Sequence, residues 1–380
     1  MKDLSECRVL IVDDVKANVD VLVQALRDEH KLSVALDGES ALRSVEKNPP
    51  DLVLLDIVMP GIDGYEVCRR LREAEATREI PIMFLSSLED VNNKTKGFQL
   101  GANDYLTKPF EILEVKARVQ SLLKAKAYAD AVKEAMARDL RIARDIQMGL
   151  LPVDLGPRTE GTGLDIHALL EPAQDVGGDL YEVLRVGDER VVVAVGDVSG
   201  KGIPAALFMA FTITLLRSMA RQFKEPDEIL RRVNDELALQ NPSGMFVTLQ
   251  CAVFDLRSER VTCAGAAHPP LVVLSPGSPP RFAVEPTGGP AGLWVGSDVK
   301  STPVDVRAGD VLLMYTDGVT ESMNSGQDLF GDERLMDHLA RDPVRTAAET
   351  AAGVLEAVRR HAAGAKQSDD ITIVAVRRAR

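Results

Sequence analysis

Acidic side chains near the start of the chain stand where they could act on phosphate together. Asp13, Asp14 and Asp56 each come just after an apolar run. Three carboxylates in one place repel one another unless a hard divalent cation such as Mg²⁺ joins them. Lys108 would add a fixed ammonium, which neutralises charge on a phosphoryl group. The set predicts that Asp56 is a nucleophile that forms an acyl phosphate, whereas any one acid alone could be a solvated turn residue.

Four further aspartates stand in turns of small residues in the second half of the chain. They are Asp179 in Gly-Gly-Asp-Leu, Asp197 in Gly-Asp-Val-Ser-Gly-Lys-Gly, Asp317 in Thr-Asp-Gly and Asp369 in Ser-Asp-Asp. Glycine beside an acid lets the backbone turn sharply and lets a metal approach a carbonyl oxygen. An all-oxygen donor set favours Mg²⁺ or Mn²⁺ over zinc. Two such ions would activate water for attack on phosphorus, although a single Asp-Gly pair is usually only a turn.

Two other patterns associated with phosphate chemistry are excluded. Cys251 and Arg257 have the spacing of cysteine-dependent phosphatases, but the five residues between them contain no glycine and form a β-type run. Such a run offers no ring of N–H groups to hold phosphate or to lower the pKa of the thiol. The glycine-rich segment 287–290 lacks the lysine and the following helix of a nucleotide-binding loop.

The first acidic set requires strands that alternate with helices. The apolar runs Cys7–Val12, Leu52–Leu55 and Pro81–Leu85 are predicted strands buried on both faces. Helical spacing is found in Lys16–Glu29, Glu39–Asn48 and Asp63–Glu73. This alternation predicts a doubly wound α/β domain with a parallel sheet. Ligands bind at the carboxyl ends of such strands, where the acids fall.

The second acidic set lies among blocks of strands and blocks of helices, which predicts an α+β sandwich. The predicted strands are Arg190–Val195, Phe246–Asp255, Val261–Ala264, Asp310–Tyr315 and Ile371–Val376. The predicted helices are Ile203–Gln222, Pro226–Gln240 and Arg345–Arg360.

A helical connector is predicted between the two halves, over Glu111–Met148, which contains neither proline nor glycine. Apolar residues recur in a seven-residue pattern that only Asp139 interrupts, at Leu122, Ala125, Ala129, Val132, Met136, Ala143, Ile146 and Leu150. The pattern favours a two-stranded coiled coil and hence a homodimer. A single amphipathic helix that packs on its own domain is the alternative. Gly149 and Pro152 are expected to end the element.

Composition excludes several classes of protein. The 380 residues carry a net charge of −13, which repels nucleic-acid backbones. Four cysteines without paired spacing indicate reduced thiols, and the polar start of the chain does not resemble a signal peptide. No uncharged run reaches about 18 residues, the length that a membrane helix needs. We therefore expect a cytoplasmic protein that binds neither nucleic acid nor membrane.

Residues 7–123 closely resemble the receiver domain of response regulators. The resemblance rests on Val9-Leu10-Ile11-Val12-Asp13-Asp14, Leu55-Asp56-Ile57-Val58-Met59-Pro60-Gly61, Asp63-Gly64 and Lys108-Pro109-Phe110. It implies that Asp13, Asp14, Asp56 and the Val58 carbonyl hold Mg²⁺, that Asp56 is phosphorylated beside Lys108, that Ser86 is the hydroxyl switch and that Tyr105 is the rotating aromatic. It further implies a cis Lys108–Pro109 bond and a sensor histidine kinase as partner.

Residues 140–378 resemble the PPM family of metal-dependent serine/threonine phosphatases, in its SpoIIE-like branch. The four aspartate motifs and the preceding Ile146-Gln147 and Leu150-Leu151-Pro152 carry this resemblance. It implies that Asp197 bridges two Mg²⁺ or Mn²⁺ ions, that the Val198 carbonyl assists, that Asp179, Asp317 and Asp369 complete the site and that Asp370 supports it. The family's Asp-Gly-His triplet is Asp197-Val198-Ser199 here, which leaves the general acid open. His268 is interpreted as part of a structural turn.

Together the resemblances predict a receiver domain in residues 1–123, a helical or coiled-coil linker in 124–152 and a phosphatase domain in 153–380. Phosphorylation of Asp56 would control removal of phosphate from phosphoserine or phosphothreonine. The implied substrate is a phosphorylated anti-sigma-factor antagonist in a partner-switching circuit, with the opposing kinase on a separate chain. The alternative is a non-catalytic adaptor whose phosphatase fold only binds a partner, and a DNA-binding regulator is a weaker third.

Overall fold

The structure is a computed structural model that describes residues 3–86, 97, 99–152, 154–341 and 346–379. Contacts divide the chain into two compact units, Met1–Ala137 and Arg138–Arg380. The predicted helix start at Arg345 lies outside the described residues.

The first unit is the predicted doubly wound α/β domain. Its parallel strands are β1 (Arg8–Val12), β2 (Lys31–Ala35), β3 (Leu52–Asp56), β4 (Ile82–Ser86) and β5 (Asp104–Thr107), and they pair in the order β2-β1-β3-β4-β5. Helices α1 (Lys16–Leu26), α2 (Gly38–Lys47) and α3 (Gly64–Glu73) follow the first three strands. Separate apolar clusters cover the two faces of the sheet, as the continuous apolar runs predicted.

The connector is one long helix, α4, over Ile112–Leu150. It continues through Gly149, so the expectation that this glycine ends the helix is wrong. Pro152 follows two residues after the helix end, where a proline cannot extend the hydrogen-bonded ladder.

The second unit contains two antiparallel five-stranded sheets. The strands are β6 (Leu164–Glu171), β7 (Leu180–Val186), β8 (Arg190–Val198), β9 (Val247–Asp255), β10 (Val261–Ala266), β11 (Leu271–Leu274), β12 (Arg281–Val284), β13 (Thr302–Val304), β14 (Val311–Tyr315) and β15 (Ile371–Arg378). One sheet has the order β13-β10-β9-β8-β7 and the other β12-β11-β14-β15-β6. The predicted α+β sandwich is therefore confirmed.

Helices cover this sandwich. They are α5 (Gly156–Thr159), α6 (Ile203–Gln222), α7 (Pro226–Leu239), α8 (Asp317–Thr320), α9 (Gly331–Arg341) and α10 (Ala347–Ala362). The alternation along β14 shows the layering: Leu312 and Met314 join the core that includes α6 and α7, whereas Leu313 and Tyr315 join the core formed with α9 and α10.

Helix α6 is the one helix of the described chain that is long and apolar enough to cross a membrane. Its composition has a second explanation inside the fold, because the core helix of a domain needs the same residues. Ala205, Met209 and Ile213 are buried in the large core of the second unit.

Candidate functional site

Strand ends bring the first acidic set together. The carboxylate oxygens of Asp13, Asp14 and Asp56 lie within 4.8 Å of one another. Asp13 and Asp56 are buried, whereas Asp14 is exposed. The Lys108 ammonium lies 2.7 Å from Asp13 Oδ2 and 2.7 Å from Asp56 Oδ2. A cation therefore already bridges two of the three carboxylates.

Electrostatics in this pocket suit a divalent cation. Burial raises the pKa of Asp56 against the lowering effect of Lys108, and the charge on Asp13 raises it further. Burial disfavours the charged form of Lys108, but its hydrogen bonds to Asp13 and Asp56 outweigh burial and raise its pKa. Carboxylates that lie this close repel one another, and a divalent cation between them would relieve the repulsion. They also offer only oxygen donors, which fits the Mg²⁺ that the resemblance implies.

Local contacts hold the pocket in shape. Asp13 Oδ1 accepts hydrogen bonds from the Val15 N–H at 2.9 Å and from Asn18 Nδ2 at 3.1 Å. Gly64 is the first residue of α3, and a Cβ on it would overlap the carbonyl oxygen of Asp56. The absence of a side chain therefore lets α3 begin directly beside Asp56. The sequence reasoning missed Asn18, because its position in the first turn of α1 carries no signal of its contact with Asp13.

The remaining residues implied for the receiver lie around the same strands. Ser86 ends β4 and its buried Oγ has no hydrogen-bond partner within the described part of the chain. The ring of Tyr105 in β5 is buried 5.5 Å from that of Phe84. The Lys108–Pro109 bond is cis. The Val58 side chain is exposed, and its carbonyl as a metal ligand stays a prediction.

In the second unit, Asp179 and Asp197 lie at adjacent ends of two neighbouring strands. Asp179 precedes β7, and pairing of Leu180 with Gly196 places it beside Asp197. The strand β8 extends through Asp197 to Val198, so the expectation that Asp197 follows the strand is wrong. Pairing with the first residues of β9 carries the strand past the predicted end.

Asp179 is held by hydroxyl groups from the other sheet. Its Oδ2 accepts hydrogen bonds from Thr316 Oγ1 at 2.8 Å and Thr372 Oγ1 at 2.6 Å. Burial, followed by the charge on Asp197, raises the pKa of Asp179 well above its ordinary value. A buried carboxylate that two hydroxyl donors hold in one orientation suits a metal ligand.

The other acids of the set affect one another's charge. Burial first, then Asp317 and Asp369, raises the pKa of Asp197 to about 7. Burial, then Glu321 and Asp369, raises the pKa of Asp317. In the described chain no three of these four carboxylates lie within 4.8 Å of one another, unlike the set around Asp56. A looser oxygen set fits two ions about 3.5–4 Å apart.

Asp370 holds the backbone of this site. Its Oδ1 accepts the Ala173 N–H and its Oδ2 accepts the Gly178 N–H, each at 2.8 Å. A Cβ on Gly177 would overlap the Asp370 carboxylate, and a Cβ on Gly318 would overlap the Asp370 carbonyl. Glycine is therefore required at both positions. The contacts suit a residue that positions Asp179 without touching a metal.

Helix α4 also reaches this turn. Gln147 Nε2 donates to the Gly177 carbonyl at 2.6 Å, and the Gly177 N–H donates to Gln147 Oε1 at 3.2 Å. Gln147 is buried, and Gly177 stands two residues before Asp179. The side chain thus joins the end of the connector to the segment that carries a predicted metal ligand.

Replacing Gln147 by alanine is expected to lower the Mn²⁺ affinity of the full-length protein about tenfold, because buried groups left without partners cost about 1–3 kcal/mol each. Calorimetric titration with Mn²⁺ would measure it. Gln222→Ala is the matched control, since the Gln222 amide donates hydrogen bonds to Ser218 of its own helix. Equal affinities of the two variants would contradict the positioning role.

A buried ion-pair group fixes the last residue of α4. Glu182 on β7 has a side chain only 3% exposed and pairs with Arg158 at 2.6 Å and with Arg217 on α6 at 2.5 Å. Arg217 Nη2 also donates to the Leu150 carbonyl at 2.5 Å. One carboxylate therefore joins the connector's end, a sheet strand and a core helix.

Glu182→Ala is expected to destabilise the second unit by about 3 kcal/mol, near the lower end for a buried pair because both arginines are partly exposed. For a unit of this size, that lowers its Tm by about 6–12 °C. Scanning calorimetry of the full chain would resolve the transition. Glu189→Ala, which breaks an exposed pair with Arg257, serves as control and should cost below about 1 kcal/mol. A Tm as high as that of the control would overturn this account.

The structure gives Ser199, His268 and Cys251 surroundings that suit structural roles. Ser199 pins the start of β9, since its N–H donates to the Phe246 carbonyl and its Oγ accepts the Phe246 N–H. His268 is buried beside Thr248 Oγ1, and burial lowers its pKa to about 3. Burial raises the pKa of Cys251 to about 12, which leaves its thiol unreactive.

Comparison with known families and proteins divides the chain in the same way. The model for the response regulator receiver domain matches residues 9–120, and the model described as stage II sporulation protein E (SpoIIE) matches residues 187–379. Response regulator PleD of Caulobacter vibrioides is 39% identical over 136 residues, 36% of this chain and 30% of PleD. Protein IcfG of Synechocystis is 29% identical over 282 residues, 66% of this chain and 43% of IcfG. The chain thus spans less than half of these relatives.

Solved structures share the fold of the second unit. The SiaA-PP2C domain of Pseudomonas aeruginosa superposes with a TM-score of 0.58 at 22% identity, over 65% of this chain and 98% of that domain. The PP2C phosphatase domain of SpoIIE from Bacillus subtilis, with a fragment of its regulatory domain, has a TM-score of 0.51 at 23% identity, over 56% of this chain and 63% of that one. At these identities the likeness establishes the fold alone.

Proposed function

This chain belongs to the SpoIIE family and carries an N-terminal response regulator receiver domain, and from this membership we propose that phosphorylation at Asp56 controls a metal-dependent protein serine/threonine phosphatase. The observation that carries the proposal is the convergence of the segments that bear Asp179, Asp197, Asp317 and Asp369. Strand pairing sets Asp179 beside Asp197, and Asp179 accepts hydrogen bonds from Thr316 and Thr372 of the other two segments. Repulsion between these carboxylates destabilises the fold, and two divalent cations bound among them would relieve it.

In the phosphatase site, Asp197 is proposed to bridge two Mg²⁺ or Mn²⁺ ions, assisted by the Val198 carbonyl, with Asp179, Asp317 and Asp369 as the other ligands. When bound, the ions supply an activated water and neutralise charge on the phosphoryl group. Thr316 and Thr372 fix the orientation of Asp179 by hydrogen bonds. Asp370 and Gln147 hold the turn that leads to it.

In the receiver domain, Asp56 is proposed to accept the phosphoryl group, with Asp13, Asp14, Asp56 and the Val58 carbonyl around a Mg²⁺ ion. Lys108 already contacts Asp56 and can neutralise a phosphoryl oxygen there. The Ser86 hydroxyl, which has no hydrogen-bond partner among the described residues, is proposed to turn toward the phosphoryl group, with Tyr105 following as the rotating aromatic. A sensor histidine kinase is the proposed phosphodonor.

We assign residues 1–123 to the receiver, 124–152 to the linker and 153–380 to the phosphatase. A homodimer through the linker is part of the proposal, because the seam residues Val132, Met136 and Ile146 are exposed in the single chain. The proposed substrate is a phosphorylated anti-sigma-factor antagonist. All four cysteines are buried and outside disulfide bonds, which supports a reducing compartment such as the cytoplasm.

Hydrolysis of p-nitrophenyl phosphate and of a phosphoserine protein is expected to require Mn²⁺ or Mg²⁺ and to stop with EDTA, because the carboxylates alone repel the substrate. The experiment compares kcat/KM of the full chain with and without beryllofluoride as a mimic of phosphorylation. A changed rate supports control by Asp56, and equal rates refute it. Metal binding without turnover on any phosphoprotein would favour the non-catalytic adaptor instead.

A further inference from the structure

Lys201 stands at the edge of the phosphatase site. It lies between the end of β8 and the start of α6, in Gly200-Lys201-Gly202. Its Nζ donates to the Ser368 carbonyl at 2.6 Å and lies 3.2 Å from Asp369 Oδ2. The side chain is 46% exposed, so the ammonium is accessible to a ligand from solvent.

The loop around Lys201 is shaped to bring the ammonium inward. Gly200 has a φ of 86° and Gly202 a φ of 76°, a region that side chains with a Cβ rarely adopt. A Cβ at either glycine would meet no atom within 4 Å, so crowding is not the reason for glycine here. Glycine is needed here for its positive φ angles, which turn the backbone so that Lys201 faces Ser368 and Asp369.

The charge of Lys201 is unusual in its surroundings. Among the residues that the structure describes, it is the one cation in ion-pair contact with any of the four aspartates, and its partner is Asp369. It also favours the charged form of Asp317. A phosphomonoester carries two negative charges, and the charge on its non-bridging oxygens must be met during transfer. An ammonium has three N–H donors, and two of those on Lys201 face Ser368 and Asp369.

We propose that Lys201 binds a non-bridging oxygen of the substrate phosphoryl group through its remaining N–H donor. This inference rests on the proposed function and adds a substrate-binding residue to it. The ammonium stays protonated throughout. A water oxygen bonds to phosphorus, the bond from phosphorus to the serine oxygen breaks, and a proton from the water ends on the serine oxygen. Lys201 supplies only charge and a hydrogen bond. Inorganic phosphate, the product, is bound by the same contact.

A purely structural role for Lys201 makes different predictions. If the lysine only ties its loop to Asp369, then its loss should misplace that ligand and weaken metal binding. If it binds phosphate, then its loss should weaken phosphate binding while metal binding persists. Measurements of the two affinities on the same variant therefore separate the roles.

The test uses the full chain loaded with Mn²⁺ and titrates inorganic phosphate by calorimetry. Lys201→Ala is expected to weaken phosphate binding about tenfold or more, as for loss of a charge-assisted hydrogen bond. Its Mn²⁺ affinity should stay within about twofold of the unaltered protein, and Lys201→Arg should retain most of the phosphate affinity because it keeps the charge. Lys366→Ala, which removes a positive charge from the neighbouring exposed loop, is the control and should change little.

Unchanged phosphate affinity in Lys201→Ala overturns the inference, and so does an equal loss of Mn²⁺ affinity. The rate of p-nitrophenyl phosphate hydrolysis is measured in parallel. If the unaltered protein hydrolyses p-nitrophenyl phosphate and Lys201→Ala matches it in both rate and phosphate affinity, only this inference is refuted. Phosphate binding that depends on Lys201, without any turnover, refutes the proposed phosphatase and leaves the phosphate site standing.

Discussion

Asp197→Ala is expected to lower kcat for p-nitrophenyl phosphate by about a thousandfold or more, the largest effect that a single substitution should produce in this chain. Asp197 has other acids nearby: strand pairing sets Asp179 beside it, and burial, followed by the charges of Asp317 and Asp369, raises its pKa. Its loss would remove a ligand from both proposed ions at once, and both ions stabilise the same transition state.

The control for this experiment is Asp188→Ala, which removes an aspartate whose side chain is 94% exposed in the same unit. The metal-free Asp197→Ala protein should unfold at no lower temperature than the unaltered chain, because the change removes a buried group that its neighbours repel. Lost activity with an intact Tm would thus be a chemical effect. Turnover that survives in Asp197→Ala would refute the metal-site assignment.

Asp56→Asn is expected to abolish labelling of the protein by acetyl phosphate in the presence of Mg²⁺. Asp56 combines burial, two neighbouring carboxylates and the Lys108 ammonium at 2.7 Å, and its amide counterpart cannot form an acyl phosphate. Mass spectrometry would locate the modification. The same variant should lose any response of kcat/KM to beryllofluoride, since the mimic binds the Asp56 carboxylate.

Asp63→Asn provides the matched control for the receiver. Asp63 caps α3 by accepting the Glu66 N–H at 2.8 Å, and asparagine caps helices about as well. The control therefore changes an acid close in sequence to Asp56 without disturbing the helix. Labelling that persists in Asp56→Asn, or that disappears in Asp63→Asn, would contradict the assignment of Asp56.

The sequence alone determined the fold classes and indicated the acids that are proposed for both sites. Continuous apolar runs in the first unit and helix α6 in the second were predicted because burial on every side leaves a local signature. Strands β2, β6, β7, β11, β12 and β13 were missed. Five of these six are edge strands of their sheets, where mixed polar and apolar residues weaken the pattern. The remaining one, β11, has only four residues.

Tertiary structure alone decided how the acids are held. Gln147 and Gly177 are 30 residues apart, and Asp370 reaches Gly178 across 192 residues. Glu182 meets Arg217 across 35 residues and two different elements. A buried polar residue looks the same in a sequence whether its partner is solvent, backbone or a distant side chain. A buried polar group needs a hydrogen-bond partner, because burial without one costs free energy. The packing of strands against helices determines which group that partner is.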